Sequence, residues 1–239
     1  MDCISTQTAY KETGFYSKII LDYLEGKEQL QPFYTHPVSA AGLKAAIEDR
    51  KKYPTDRKLL VEVLKRHYSG VNITTRQQSN IERLSKINGF TITTAHQPNI
   101  FTGHLYFIYK ILHIIKLCEQ LKTETPDNDF IPVFYMGSED ADLEELGHVY
   151  ISGIKHAWET NQTGAVGRMK VDKALKKMLD AIAGEITVHP YGQEIIDTMK
   201  ACYTEGSTIE QATFKLINVL FGEYGLLVLL PDDADYKRA

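Results

Sequence analysis

Residues 90–136 carry the pattern that most restricts the fold. FTITTA at 90–95 is short and rich in β-branched residues, which suit a pleated surface and mark a strand. HQPNIFTG follows as a loop holding Pro98 and Gly103. HLYFIYKILHIIKLCEQL then places Leu105, Ile108, Leu112 and Ile115 on one helical face. Phe107, Ile111, Ile114 and Cys118 widen that face, so burial on more than one side is expected. TETPDND is a turn, and FIPVFYM at 130–136 is a second strand with Pro132 near its start, where a missing N–H is tolerated. Strand, helix and strand in this order form a βαβ unit, whose right-handed crossover makes the two strands parallel. The expected class is α/β with a parallel-sheet core.

The flanking segments fit around that unit. Residues 1–88 read as a helical N-terminal region packed on the rest of the chain. Ile19, Ile20, Tyr23 and Leu24 form an apolar stripe ending at Gly26. GKEQLQPFYTHPV, with two prolines, is a connector. Ser39 caps a helix running to about Tyr53, where Pro54 breaks it. Leu59, Leu60, Val63 and Leu64 mark another helix ending near Gly70, and Thr74 or Thr75 starts one that closes at Asn88-Gly89. After the second strand comes the acidic loop GSEDADLEEL, then an apolar alternation around His148–Ile151. Residues 155–171 read as short strands or loop, and helical patterns cover about 172–183, 192–203 and 208–222. GLLVLLP at 225–231 is a buried strand, followed by DDADYKRA. The expected organisation is a helical region over 1–88 and a sheet core over 89–239, with an inserted connecting segment at about 152–205. A parallel strand normally feeds a loop and a crossover helix, yet the chain stops nine residues after Leu230. A fragment of a longer protein is expected.

Composition removes several classes of function. The chain has 239 residues, with 27 Lys plus Arg against 31 Asp plus Glu, a formal charge of -4. No basic excess points to nucleic acid, and no apolar run is long enough for a membrane span. MDCISTQTAYKETG lacks a basic stretch followed by an apolar one, so no secretory signal is expected. Cys3, Cys118 and Cys202 are an odd set without a CxxC pair, which fits neither a disulfide framework nor a zinc site. A reducing cytoplasm is the expected compartment, and Cys118 is expected to serve packing.

The three strand candidates end in TTAHQ, GSED and PDD. Open α/β sheets bind ligands beyond the carboxyl ends of their strands, so polar residues converge where a site belongs. The first loop leads into a helix whose N-terminal N–H groups favour phosphate or carboxylate. Gly103 permits close backbone approach, and Thr102 and His104 add donors; alternatively, Thr102 is simply the helix N-cap. Neither GxGxxG nor GxxxxGK[ST] is present. The second loop gathers Glu139, Asp140, Asp142, Glu144 and Glu145. Carboxylates there bind an amine, hold Mg²⁺ or act as a general base. Glu144 and Glu145 fit an acidic first helical turn, whereas Glu139 and Asp140, nearest the strand, are the functional candidates. His148 fits a structural role or one beside these acids. Asp232 fits a turn former, and Lys110 either reaches back towards the site or snorkels to solvent. No metal site is expected from the spacing.

TAHQPNIFTGHLYFIYKILHIIKL resembles the signature of the BshC family of bacillithiol biosynthesis, which typically reads TGQQ or TGHQ and then LFTGPLYTIYKI. IPVFYMGSEDADLEELGHVYI is similar to that family's VPVFWIAGEDHDFDEINH, and GLLVLLPDDADYKR to its GLVVLDPDDAELKR. DYLEG and QPFY near the start also resemble the family, so the likeness covers nearly the whole chain. It implies a Rossmann-like core related to nucleotidylyltransferases, members about twice this length, and a C-terminal coiled coil that forms a homodimer. It implies a cysteine ligase that joins the carboxyl group of cysteine to the glucosamine amine of glucosaminyl malate, with small-molecule partners rather than nucleic acid or membrane. Amide formation from a free carboxylate is uphill in water, so ATP with Mg²⁺ is the expected cofactor. His96, Gln97, Glu139 and Asp140 fall on motif positions expected to be catalytic. Thr94, Thr102, Gly103, His104, Tyr106, Lys110, Asp142, Glu145, His148, Asp232 and Asp233 fall on positions expected to bind substrate or nucleotide. Three departures stand out: Ala95 replaces a frequent Gly, His104 a frequent Pro and Ala141 a frequent His. His104 makes the TGH run resemble the HxGH element of nucleotidylyltransferases. A nucleotidyltransferase acting on another small molecule, or a non-catalytic binding module, are the alternatives.

Overall fold

The structure is a computed structural model that describes Ile4 and residues 6–238; Cys3 lies outside the described residues. Two compact units divide the chain, 1–55 and 56–239. The first holds α1 (Tyr10–Thr13), α2 (Lys18–Leu24), a 3-10 turn at Glu28–Phe33 and α3 (Ala40–Arg50). The Ile19 to Leu24 stripe lies on α2, and Gly26 follows at φ +68°. Ser39 caps α3, its Oγ accepting from the Gly42 N–H at 3.0 Å.

The second unit contains α4 (Arg57–His67), α5 (Thr75–Leu84), β1 (Gly89–His96), α6 (Leu105–Glu124) and β2 (Asp129–Met136). A short α7 (Leu143–Leu146) leads to the strands β3 (His148–Ile151) and β4 (Ile154–Ala157). Then come α8 (Lys173–Ile186), α9 (Gly192–Cys202), α10 (Ile209–Phe221), β5 (Leu227–Leu229) and α11 (Ala234–Arg238). β1, β2 and β5 form a parallel sheet in the order β1-β2-β5, with Gly89 opposite Asp129, His96 opposite Met136 and Val133 opposite Leu227. The βαβ unit is therefore present. Pro132 pairs with Ile92 one residue before the pairing with β5 begins at Val133.

Two cores meet on α10. Phe107, Ile111, Phe134, Phe214, Ile217 and Phe221 belong to the core beneath the sheet. Ile209, Ala212 and Leu216 of the same helix enter a second core with Ile100, Phe101, Leu175 and Tyr203. On α6 the buried face differs from the one the Leu105, Ile108, Leu112 and Ile115 spacing predicts. Its buried face is Phe107, Ile111, Ile114, Ile115, Cys118 and Leu121, whereas Leu105 and Leu112 are exposed by 65% and 40%. The apolar pattern runs nearly round this helix, but the sheet covers only one side, so periodicity alone picked the wrong boundary of the buried face. Cys118 packs in the core, and burial pushes its thiol up to about 12.

Buried polar groups tie β5 to the helices. Thr74 and Gln77 form a reciprocal cap on α5. The buried Gln77 also donates through Nε2 to Asn218 Oδ1 at 2.7 Å and to Leu226 O at 2.8 Å. The Val228 N–H donates to Tyr68 Oη at 2.9 Å. The last two bonds satisfy backbone groups in, and just before, a strand only three residues long. β3 and β4 pair antiparallel through Ser152 and Gly153, at φ +49° and +82°, as a two-residue hairpin with left-handed central residues requires.

Candidate functional site

β1 and β2 end side by side and β5 ends beside β2, so three loops leave the sheet at one edge. A cleft of about 490 Å³ opens there. Its polar lining is His96, Gln97, Lys110, Glu139 and Asp140; Ala95, Tyr135, Gly137 and Pro231 complete it. All three strand ends thus contribute, as the parallel topology requires.

His96 ends β1 and is fixed at both ring nitrogens. Nδ1 lies 3.2 Å from the Gln97 carbonyl oxygen, which can only accept, so Nδ1 carries the proton of the neutral ring. Nε2 then accepts from the Tyr106 hydroxyl at 2.7 Å. Burial holds this imidazole below its ordinary 6.5, and the nearby Lys110 acts in the same direction, outweighing the Gln97 carbonyl. Lys110 reaches back along α6 and donates to Ala95 O at 2.6 Å.

Gln97 joins the first loop to the second. Its Nε2 donates to Asp140 Oδ2 at 2.9 Å, and the Asp142 N–H donates to Asp140 Oδ1 at 3.2 Å. The Gln97 bond, followed by the backbone bonds, keeps the Asp140 carboxyl below its ordinary 3.8. The second loop is also braced from behind. Gly167 N–H donates to Ser138 O at 3.1 Å and Val166 N–H to Asp140 O at 2.8 Å. Asp142 caps α7, accepting from the Glu145 N–H at 3.1 Å, and Glu144 and Glu145 fill the first turn. These two form the acidic helix start that their spacing suggested.

The loop after β1 has a backbone that its residue types do not advertise. Phe101 and Thr102 are left-handed at φ +53° and +74°, followed by Gly103 at +60°. Each left-handed non-glycine costs about 1–3 kcal/mol and persists only where its surroundings impose it. Thr102 therefore does not cap α6; His104 holds that position without a side-chain cap bond. The restraint is Tyr203, which is fully buried. Its Oη accepts from the Phe101 N–H at 3.0 Å and lies 3.1 Å from Thr213 Oγ1, with the two aromatic rings edge to face at 4.8 Å. Tyr203→Phe keeps the ring and leaves a buried N–H without a partner. It is expected to lower unfolding free energy by about 1–3 kcal/mol in urea titrations, and an unchanged midpoint would show that the loop holds without this bond.

The third strand end is an ion-pair cluster. Arg168 grips Asp232 with two bonds of 2.7 Å, and Lys237 Nζ lies 2.5 Å from both Asp232 Oδ1 and Glu139 Oε1. The bonds from Arg168 and then Lys237 bring the Asp232 carboxyl down to about 2. Asp233 turns to Arg66 at 2.7 and 2.9 Å and to His67 Nε2 at 3.1 Å. Burial raises the Asp233 carboxyl, but Arg66, backbone N–H groups and His67 together hold it well below the usual carboxylate range. Depressed folded values mean that the pairs stabilise fully above the ordinary 3.8. That contribution is lost as pH falls through about 2 for Asp232. Melting temperature should therefore fall between about pH 4 and pH 2, less steeply in Asp232→Asn; equal slopes would contradict this reading of the cluster.

Thr94, His104 and His148 do not line the cleft. Thr94 sits within β1 opposite Phe134. His104 stacks on Tyr106 at 5.6 Å and meets the edge of His148 at 6.0 Å. His148 donates from Nδ1 to Glu144 O at 2.8 Å. Arg168, Lys237 and Tyr203 are not apparent from sequence as parts of the site. Lys237 stands within the DDADYKR run, whereas Arg168 and Tyr203 have no local signal. Among the described residues, no three His, Cys, Asp or Glu side chains converge to hold a metal ion, and no helix is long and apolar enough to cross a membrane.

Comparison with known proteins gives this geometry a family. The family described as "Bacillithiol biosynthesis BshC, N-terminal Rossmann-like domain" matches residues 1–239. A protein of Cytophaga hutchinsonii named "Putative cysteine ligase BshC" is 44% identical over 93% of this chain and 41% of its own length. Proteins with the same name from Flavobacterium psychrophilum and Bacillus licheniformis are 39% and 28% identical, over 99% and 92% of this chain and 44% and 42% of their own lengths. The chain thus spans about two-fifths of the curated relatives it matches. By that match and by its parallel sheet with flanking helices, the chain belongs to the BshC family and corresponds to its N-terminal Rossmann-like domain.

Proposed function

We propose that the full-length protein joins the carboxyl group of cysteine to the glucosamine amine of glucosaminyl malate, and that this chain supplies the cleft in which the amide bond forms. The observation that carries the reading is the meeting of His96, Gln97 and Asp140 at the ends of two parallel strands. The names of the relatives supply the reaction class.

The electrostatics divide the labour. Asp140 is held ionised, so it is a weak base and a lasting negative charge, suited to orient an ammonium group. His96 is held neutral and presents a lone pair at Nε2 once Tyr106 rotates away. It is the group able to take the proton that the amine must lose before it attacks a carboxyl carbon. Gln97 keeps the two loops in register and offers an amide to the acyl oxygen.

A nucleotide fits this cleft in volume and in its place beyond the strand ends. Lys110, Gln97 and His96 are the side chains that would hold it. ATP, when bound, supplies the activation that a free carboxylate lacks. Mg²⁺ would arrive with the nucleotide's own phosphates, and no step is assigned to it. Dimerisation belongs, in this proposal, to a coiled coil outside this chain.

Full-length protein with glucosaminyl malate and Mg-ATP should break down nucleotide only when cysteine is added. Nucleotide breakdown that ignores cysteine would favour a nucleotidyltransferase instead. Because His96 must be neutral, kcat/KM should show an acid limb below 6.5. A profile that stays flat as pH falls well below 6.5 would remove His96 from the role of base.

A further inference from the structure

A second, smaller pocket of about 270 Å³ lies at the opposite edge of the sheet, where β2 begins. Arg76, Asn80 and Arg83 reach it from α5, and Ile115, Cys118, Glu119 and Lys122 from α6. Asp129 and Phe130, with Pro132 and Tyr224, close it. Positions 76, 80 and 83 fall on one face of a helix, and so do 115, 118, 119 and 122. The two helices therefore aim these groups into one space.

The charges there do not cancel. Lys122 Nζ is 3.1 Å from Asp129 Oδ1 and also donates to two backbone carbonyls, so that pair is closed. Glu119 lies 3.1 Å from Lys116 and only 4.0 Å from Arg76. The Arg83 side chain has no hydrogen-bond or ion-pair partner among the described residues. The Arg83 guanidinium is thus unengaged, and that of Arg76, two helical turns away, is held only by the 4.0 Å approach of Glu119, over walls formed by Ile115, Phe130, Pro132 and Tyr224. A guanidinium fork matches the two oxygens of a carboxylate or phosphate. The volume is just over half that of the cleft and suits a compact molecule.

We propose that this pocket binds a small organic anion with a doubly charged oxyanion character, gripped by Arg83 and Arg76, with its body against Phe130 and Tyr224. It is separate from the cleft, because β2 and α6 contribute to the two pockets from opposite ends. Binding here should therefore survive the loss of cleft residues.

The test uses the full-length protein, with thermal shift and calorimetry, at constant ionic strength set by chloride. Inorganic phosphate and succinate are the two probes, and they distinguish a phosphate head from a dicarboxylate. At least one should bind saturably. Arg83→Gln should weaken that binding by about tenfold or more, the loss of a charge-assisted bond, whereas His96→Ala should leave it unchanged. Arg83 is exposed, so the variant keeps its fold, and an unchanged melting temperature without probe confirms that. Binding that vanishes in His96→Ala but persists in Arg83→Gln would place the anion in the cleft and overturn the proposal. So would the absence of saturable binding by either probe, or binding indifferent to both substitutions.

Discussion

His96→Ala and Asp140→Asn, each made in the full-length protein, are expected to lower amide formation by about 10²–10⁴-fold, the range associated with losing a positioned acid or base. The two should differ in character. His96→Ala removes the neutral base of the cleft and should act on kcat, with the acid limb of the pH profile disappearing. Asp140→Asn is isosteric, and its one carbonyl oxygen can still accept from Gln97 at the expense of the Asp142 N–H bond. The Val166 N–H bond to the backbone carbonyl of residue 140 keeps the loop in place. What it loses is the negative charge, and KM for the amine substrate should rise with the fall in kcat/KM. Both side chains are at least partly exposed, so neither substitution opens a cavity. Melting temperatures within about 2 °C of the parent would show that folding is not the cause. Near-parental activity in both variants, with folding intact, would sink the assignment of these residues.

The second large effect comes from a residue that never touches the cleft. A Cβ added at Gly167 would lie 2.5 Å from both Ser138 Cβ and Ser138 O. Neither neighbour is the free end of a flexible chain; both belong to the residue that leads directly into Glu139 and Asp140. Overpacking of this kind costs about 1–3 kcal/mol and is relieved only by moving backbone. Ser138 and Gly167 are both buried, whereas Glu139 and Asp140 just beyond Ser138 are exposed, so the displacement is relieved towards those two residues. Gly167→Ala is therefore expected to reduce activity about 100-fold through misplacement of Asp140 by an ångström or less, beyond its effect on stability. Activity at a temperature well below the variant's melting point, relative to the parent, checks this. A variant that is destabilised but fully active there would show that the loop does not transmit the clash.

The fold was legible because its elements repeat at the periods that burial imposes. The β-branched run at 90–95 and the apolar run at 130–136 became parallel neighbours, and Ser39 and Thr74 proved to be helix caps. What stayed hidden depends on partners distant in sequence. Leu105 and Leu112 share the apolar pattern of α6 but point away from the sheet. The left-handed Phe101 and Thr102 carry no glycine signal, because Tyr203, about a hundred residues away, holds them. The candidate site followed the same division. His96, Gln97, Glu139 and Asp140 stand beside strand ends, and the topology brings them to one cleft. Asp232 was visible as a polar strand end, but its engagement with Arg168 was not, because Arg168 sits in a turn without periodicity. Gln97 is the clearest case: its proximity to β1 was evident, but its bond across to Asp140 needed the parallel pairing of β1 and β2.

Whether this cleft serves the joining of cysteine to an amino sugar can be measured directly. Purified full-length protein is incubated with cysteine, glucosaminyl malate and Mg-ATP, and thiol product and nucleotide are followed by mass spectrometry. Bacillithiol is expected to appear in step with AMP or ADP, and its formation should be about 10²–10⁴-fold slower with the Asp140→Asn protein. A folded protein that yields no thiol product from verified substrates, or that releases pyrophosphate whether or not cysteine is present, would contradict the proposed reaction.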